Sequence, residues 1–151
     1  ATTEIYTLSL HDALPISVKA RNIGVGIFDS FMDLEQHINH ICKVAFCHIR
    51  NLSRIRNCLS LKDTETLVHA FITTKLDNCN SLLAELPQTL IDKLQRVHNA
   101  AGRLVSLTCK YDKIITPVLM DLHWLPAKQR ISFKILLLTY KALNALAPQY
   151  I

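Results

Sequence analysis

Three histidines and two cysteines cluster near the start of the chain, and side chains of these types are the usual protein ligands of zinc. The five residues are His37, His40, Cys42, Cys47 and His48. A structural zinc site needs four nitrogen or sulfur ligands arranged as a tetrahedron. On one continuous helix, however, His37 and His48 lie along one side while Cys47 points elsewhere. We therefore expect ordinary histidines on a helix surface and no metal site.

Phosphoryl-transfer chemistry is also disfavoured by the sequence. Polymerases and nucleases that use two metals need carboxylates that converge on the ions, but the chain contains no Asp-Asp pair. The segment Gly24-Val25-Gly26 lacks the third glycine and the lysine of a phosphate-binding loop. A Cys-His or Ser-His nucleophilic site would need partners that spacing alone does not show. We predict no catalytic residue and no cofactor in this chain.

The basic residues say more about a possible binding function, because they form rows on the predicted helices. One row, which includes His40, follows a face of the first long helix, and another follows a face of the third, both opposite the apolar stripes. Such rows could hold a phosphate backbone without reading bases, although solvated basic faces are common on helices. A weaker group that includes Lys134 lies early in the last helix. The candidate nucleic-acid-binding residues are Lys43, Arg50, Arg54, Lys93, Arg96, Arg103, Lys128 and Arg130.

The first 16 residues need separate treatment. They match, codon by codon, the translation of a common short-read sequencing adapter, so we expect residues 1–16 to be foreign to the protein. Setting them aside removes Glu4 and Asp12, which leaves 17 basic and 10 acidic residues. This excess of positive charge favours polyanionic partners such as nucleic acid.

Cysteine usage and hydropathy indicate the cellular setting. The five cysteines form an odd set without a CxxC pair, which is typical of reduced thiols inside a cell. The longest apolar segment, residues 131–147, is interrupted by Lys134 and Lys141. It falls short of the roughly 20 apolar residues of a membrane-spanning helix. We expect an intracellular chain without a membrane partner.

The hydrophobic pattern predicts a mainly α-helical domain, a bundle of four long helices and one short helix, with a minor N-terminal β segment. Ser60 with Asp63 predicts the start of the second long helix, which we expect to continue to Pro87. Pro117 and Pro126 mark the starts of the short helix and the last long one. The apolar residues expected on the buried sides are Leu34, Ile38, Ile41, Ala45, Leu52 and Ile55, then Val68, Phe71, Leu76, Cys79 and Leu83, and then Leu90, Leu94, Val97, Ala101 and Leu104.

The last helix is apolar almost all round. A single buried face cannot account for that pattern, so two hypotheses are open. Either this helix is the centre of the bundle, or one of its faces docks on a segment absent from this chain. We favour the second.

Several ordered strings give the chain a resemblance to a known family. They are residues 22–25 (NIGV) with 28–29 (FD), 76–83 (LDNCNSLL), 94–101 (LQRVHNAA), 115–119 (ITPVL) and 122–126 (LHWLP). Together they resemble the reverse transcriptase of non-LTR retrotransposons of the jockey and chicken-repeat type. The resemblance spans nearly all of residues 18–151 and concerns the region that follows the polymerase palm.

The resemblance implies a parent RNA-directed DNA polymerase that uses magnesium bound by an upstream palm. Residues 17–30 would end the palm, and residues 31–151 would form a helical, thumb-like domain that grips an RNA–DNA or DNA duplex. No residue matches the aromatic-Ala-Asp-Asp motif of the palm, so the fragment itself is expected not to be an enzyme. Asn78, where the family usually has Tyr, and Gly102, within an alanine-rich helix, depart from the pattern.

Two other functions stay open from the sequence. One is a stand-alone helical module that binds a protein partner through the apolar last helix. The other is a non-functional translated relic of a retroelement, which the departures from the family pattern would fit.

Overall fold

The structure is a computed structural model that describes the backbone of residues 21–22 and 27–28, and the backbone and side chains of residues 34–108 and 115–148. The described part is mostly helical, which confirms the prediction of a mainly α-helical domain. The α-helices are α1 (Glu35–Ile55), α2 (Leu61–Val68), α3 (Thr74–Asp77), α4 (Gln88–Ser106), α5 (Thr116–Asp121) and α6 (Ala127–Leu143). Turns of 3₁₀-helix cover Arg56–Cys58 and Asn80–Leu83, and a π-helical turn covers His69–Thr73.

Near the N-terminus, two short strands pair antiparallel. Strand β1 (Arg21–Asn22) and strand β2 (Ile27–Phe28) place Arg21 opposite Phe28. The predicted bend at Gly24 and Gly26, the adapter-like residues 1–16, and Cys109 lie outside the described residues.

The core is centred on α4, which packs against α1 along its length. The two helices run parallel, because contacts join their starts and their ends. At the starts, the Lys93 ammonium donates to Asn39 Oδ1 at 2.9 Å. At the ends, the buried Arg56 side chain that follows α1 donates to the carbonyl oxygens of Leu104 and Val105 at 3.0 and 2.8 Å. These contacts fix which faces of α1 and α4 lie side by side.

Residues 61–77 form one continuous helical segment, from α2 through the π-turn to α3. The prediction that Phe71 lies on its buried side is wrong, since Phe71 is 45% exposed while Val68 and Ile72 are fully buried. A π-turn accommodates one extra residue, which rotates the following side chains relative to a regular helix. The buried side therefore passes through Ile72 to Leu76.

This segment also ends earlier than predicted. It stops at Asp77, and Cys79 adopts a positive φ of 54° before the 3₁₀ turn Asn80–Leu83. Asp and Asn side chains favour turns over helix interiors, so the Asp77-Asn78 pair ends the helix ten residues before Pro87. Cys79 is consequently half-buried in a turn and does not belong to a helical stripe.

The predicted helix starts are confirmed. The Asp63 amide donates to Ser60 Oγ at 3.1 Å, and the Ser60 hydroxyl donates to the Asp63 carboxylate at 2.7 Å. Pro87 and Pro126 directly precede α4 and α6, and Pro117 lies in the first turn of α5. In each case proline occupies a position where its missing amide proton costs little.

Gly102 has a packing role that the sequence did not show. A Cβ atom at this position would lie 3.0 Å from Leu119 Cδ2, and Leu119 is the buried residue of α5. The glycine therefore lets α5 pack closely on α4, although a helix-interior glycine costs about 1 kcal/mol relative to alanine.

Helix α6 lies at the edge of the structure. Ile131 is its one buried residue, whereas α4 buries eight. The hypothesis that the last helix is the centre of the bundle is thus wrong. None of the helices in the described ranges combines the length and apolar character that crossing a bilayer requires.

Candidate nucleic-acid interface

The first predicted basic row lies on α1. Lys43, Arg50 and Arg54 are all exposed, and their spacing of seven and four residues keeps them on one helix face. They lie opposite the buried side of α1, which includes Ile41 and Ala45. His40 is exposed next to this row.

The second row lies on α4. Arg96 is exposed, while Lys93 and Arg103 are half-buried. Besides its bond to Asn39, Lys93 forms an ion pair with Glu35 at 3.3 Å. Lys93 is therefore partly neutralised and ties α4 to α1.

The parallel packing of α1 and α4 brings the two rows to one side of the molecule. Asn39, which accepts the Lys93 hydrogen bond, lies one turn before Lys43 on the same face of α1. On α4, Arg96 and Arg103 are seven residues apart and share one face, and Lys93 lies at the edge of that face that contacts α1. We call this surface the basic groove: Lys43, Arg50 and Arg54 of α1 with Lys93, Arg96 and Arg103 of α4.

Acidic side chains are confined to one end of the basic groove. Within α1 and α4 the acidic residues are Glu35 and Asp92, each in the first two turns of its helix. Glu35 pairs with Lys93, and Asp92 accepts a hydrogen bond from Gln88 at 2.9 Å. Beyond Asp92, α1 and α4 contribute no further acidic residue to the groove.

The other predicted basic residues lie elsewhere. Lys128 is exposed and Arg130 half-buried on α6, and α6 packs on a different side of α4, through Gln95 and His98. The Gln95 side chain accepts from the Ala127 amide at 2.7 Å and so caps the start of α6. Lys128 and Arg130 therefore do not extend the basic groove.

Arg130 instead forms the centre of a polar cluster in which three of the ordered strings that carry the family resemblance meet. Its guanidinium makes a bidentate ion pair with Asp77, in which Arg130 Nε donates to Asp77 Oδ1 at 2.9 Å. It also lies 3.4 Å from His98 Nε2, and the His98 ring contacts the Trp124 ring at 5.3 Å. We call Asp77, Asn80, His98, Trp124 and Arg130 the motif junction.

Burial is the main influence on His98. Its side chain is 1% exposed, and desolvation, with a smaller contribution from the Arg130 charge, lowers the pKa of His98 to about 4. Asp77 opposes this shift. The histidine is therefore neutral at physiological pH and packs as part of the core.

Two residues of the junction strings have a strained backbone. Cys79 in string 76–83 and His123 in string 122–126 both have positive φ, 54° and 55°. Non-glycine residues adopt this conformation at a cost of order 1 kcal/mol. Hydrogen bonds hold the second turn, since the Trp124 amide donates to the Leu119 carbonyl at 2.8 Å. String 76–83 thus forms the tight turn that follows α3, and string 122–126 forms the turn between α5 and α6.

The histidines and cysteines considered for zinc do not come together. His37 is buried, which corrects the expectation of a surface histidine, and desolvation followed by the nearby His40 lowers the pKa of His37. His48 stacks on Phe71 at 5.4 Å, and burial raises the pKa of the half-buried Cys42 thiol. In residues 34–108 and 115–148, no three His, Cys, Asp or Glu side chains converge as metal ligands would.

Among the buried polar residues that sequence reasoning missed are Arg56 and His98. Arg56 lies four residues after Leu52, and His98 four residues after Leu94, so each falls on the buried stripe of its helix. In contrast, the predicted stripe residue Ile55 is 47% exposed. The signal that could have found Arg56 and His98 was a polar residue at a position where the helical spacing predicts a buried apolar one.

The fold and its charged surface define a mainly helical domain with rows of basic residues on two parallel helices. Searches against protein-family models, curated proteins and solved structures found no match to this chain.

Proposed function

We propose that this chain is the thumb-like part of a non-LTR retrotransposon RNA-directed DNA polymerase, and that it grips the template–primer duplex without catalysing the reaction. The observation that carries the proposal is the basic groove, where rows on two parallel helices share one side. The resemblance of the ordered strings to non-LTR reverse transcriptases supports the proposed origin of the chain.

The length of the α1 row suits a nucleic-acid backbone. From Lys43 to Arg54 the α1 row covers about 16 Å at 1.5 Å per residue, which corresponds to about five steps of a duplex at 3.4 Å per strand phosphate. Lysine and arginine at this spacing contact phosphates and carry no sequence information. We therefore propose sequence-tolerant, salt-dependent binding of an RNA–DNA or DNA duplex.

The motif junction supports a scaffolding role for the strings that carry the resemblance. Its charged members, Asp77 and Arg130, pair with each other, and Gln95 of string 94–101 caps α6. In this proposal residues 31–151 are a bundle of four long helices and one short helix. Residues 17–30 are the minor β segment that ends the palm, and magnesium belongs to the missing palm.

Duplex binding tests the proposal directly. Fluorescence anisotropy of an RNA–DNA duplex, measured over a series of salt concentrations, should show log affinity falling linearly with log salt. The triple variant Lys43→Gln, Arg50→Gln and Arg96→Gln should reduce the magnitude of that slope by about 2 to 3, since each phosphate contact contributes about 0.9.

A matched control removes the same charge elsewhere. Lys62, Lys75 and Lys141 are exposed and lie outside α1 and α4, so replacing all three with Gln should leave most of the slope intact. If the control loses as much as the groove variant, binding depends only on net charge and the groove is not the interface. Primer extension by the purified chain with magnesium would contradict its non-catalytic role.

A further inference from the structure

An exposed aromatic ring lies within the basic groove. Phe46 is 42% exposed and is the one Phe, Tyr or Trp in α1 and α4. It follows Lys43 by three residues and precedes Arg50 by four, the two spacings that bring side chains of a helix next to each other. A single exposed apolar residue is ordinary on a protein surface, so the surroundings of Phe46 decide what it can do.

The contacts between the two helices place Phe46 on the side of the α1 row that faces α4. Asn39 lies seven residues before Phe46, two turns along the same line of α1, and it accepts the hydrogen bond from Lys93 of α4. The hydrogen bonds that join the two ends of α1 and α4 place Phe46 level with residues 94–100 of α4, where Arg96 is exposed. The ring therefore has basic neighbours on both helices.

The ring and its two neighbours on α1 are open to a ligand on the part of the chain that the structure describes. The ring contacts within residues 34–108 and 115–148 involve other aromatic side chains, and none of them covers Phe46. No ion pair between residues of these ranges includes Lys43 or Arg50. The surface thus offers an apolar ring beside cations whose charge is available to a ligand.

This combination fits an unpaired nucleotide better than a closed duplex. Within a duplex the face of each base is covered by its neighbours in the stack, so an internal base pair offers nothing to an aromatic ring. An unpaired base exposes its π-face, and proteins hold such strands by stacking bases on aromatic side chains within a positively charged groove. The phosphates beside that base would meet the lysine and arginine that flank the ring. A neutral apolar protein surface would instead desolvate these cations without pairing them.

We propose that the basic groove binds an unpaired nucleotide, with its base stacked on Phe46 and the adjoining phosphates paired with Lys43, Arg50 and Arg96. The inference rests on the proposed function and deepens it, since a template–primer carries an unpaired template strand beside its duplex. Stacking of this kind tolerates any sequence, because every base has a π-face. Phe46 is then a nucleic-acid-binding residue that the basic rows of the sequence did not reveal.

Two substrates that differ only in their bases test the proposal. The first is an RNA–DNA duplex with a template overhang of about six nucleotides, and the second is the same duplex with an abasic overhang. Both carry the same number of phosphates, so the electrostatic contribution to binding is matched. In fluorescence anisotropy the full chain should bind the normal overhang about 5- to 150-fold more tightly, as expected for one base stacked on an aromatic side chain.

Variants of Phe46 separate stacking from other contacts. Phe46→Ala and Phe46→Leu should each remove most of the preference for the normal overhang, because neither has a ring, whereas Phe46→Trp should retain it. Phe133→Ala is the matched control, since Phe133 is 57% exposed on α6, and it should leave the preference unchanged. All four variants should keep the thermal unfolding curve and the blunt-duplex affinity of the wild type.

The outcomes distinguish this inference from the proposed function. Equal affinity for the normal and abasic overhangs, or a preference that survives in Phe46→Ala, would overturn the inference, while salt-dependent binding of blunt duplex would leave the proposed function standing. A full preference in Phe46→Leu would also overturn it, because the contact would then be apolar and not stacked. Failure of the chain to bind either substrate at low salt would overturn both.

Discussion

At the residue scale, the motif junction shows how buried polar side chains connect the recognised strings. Asp77 and Arg130 form a bidentate ion pair, the kind of contact that adds geometric specificity as well as energy. His98 lies beneath it as a neutral, fully buried ring. These side chains come from three separate segments, so together they fix where α3 and α6 meet α4.

His98 should make stability depend on pH. Its pKa is lowered from 6.5 to about 4 in the folded chain, so the unfolded chain binds the proton first as the pH falls. The folded chain therefore has its full stability above about pH 6.5. As the pH falls to about 4, the free energy of unfolding decreases progressively, by about 3 kcal/mol in all. Urea denaturation of the wild type and of His98→Asn at several pH values measures this pH dependence of the free energy of unfolding. The wild type should lose more stability than the variant over this range, and parallel pH profiles would contradict the assignment.

At the element scale, α1 and α4 are joined by side chains that satisfy helix ends. Arg56 donates to the carbonyl oxygens of Leu59, Leu104 and Val105. Two of these acceptors lie in the last turn of α4, where carbonyls lack intrahelical partners and a cation interacts favourably with the helix dipole. Arg56 thus caps the C-terminal end of α4 and holds this helix parallel to α1.

Replacing Arg56 tests this cap. Arg56→Met should destabilise the fold by about 1 to 3 kcal/mol, because buried carbonyl groups lose their donors even though a buried charge is also removed. Arg56→Lys should recover only part of the loss, since one ammonium cannot reach all three acceptors in the geometry of the guanidinium. Thermal and urea unfolding provide the measurement. The exposed Arg54→Met is the matched control and should stay within about 0.5 kcal/mol of the wild type.

At the scale of the whole molecule, packing is uneven. Helix α4 is buried along one side and contacts α1, α2, α5 and α6. Helix α6 buries one residue, Ile131, and is also held by the Arg130–Asp77 ion pair and the Gln95 cap. Regions with few buried apolar contacts open at lower free energy than the core. The basic groove is therefore built on the best-packed helices, whereas the exposed apolar residues Phe133, Leu136, Tyr140 and Leu143 lie on the least-packed one.

Native-state hydrogen exchange should follow this gradient. Amides in the middle of α4, near Val97 and Ala101, should exchange only through global unfolding. Amides beyond Ile135 in α6 should exchange much faster, through local opening. Uniform protection of α4 and α6 in the free chain would show that α6 is held by contacts beyond those described.

Much of the architecture could be predicted from the sequence because it depends on local chemistry. The stripe from Leu90 to Ala101 repeats at helical spacing, Ser60 can cap only a helix that starts after it, and prolines mark helix starts, so the helical class followed directly. The sequence predicted the end of the second helical segment less accurately. The π-turn at His69–Thr73 rotates its buried side, and no local periodicity reports that rotation.

The amino-acid sequence by itself determined the helical class, the positive charge and the two separate basic rows, since these depend on residue types and short-range spacing. Only the tertiary structure decided that the rows of α1 and α4 lie on one side of the molecule, that Arg130 pairs with Asp77, and that α6 lies at the edge. Each of these facts depends on contacts between residues that are distant in sequence. Such contacts form where apolar area is buried and polar groups are satisfied across the whole core, and no single segment contains that information.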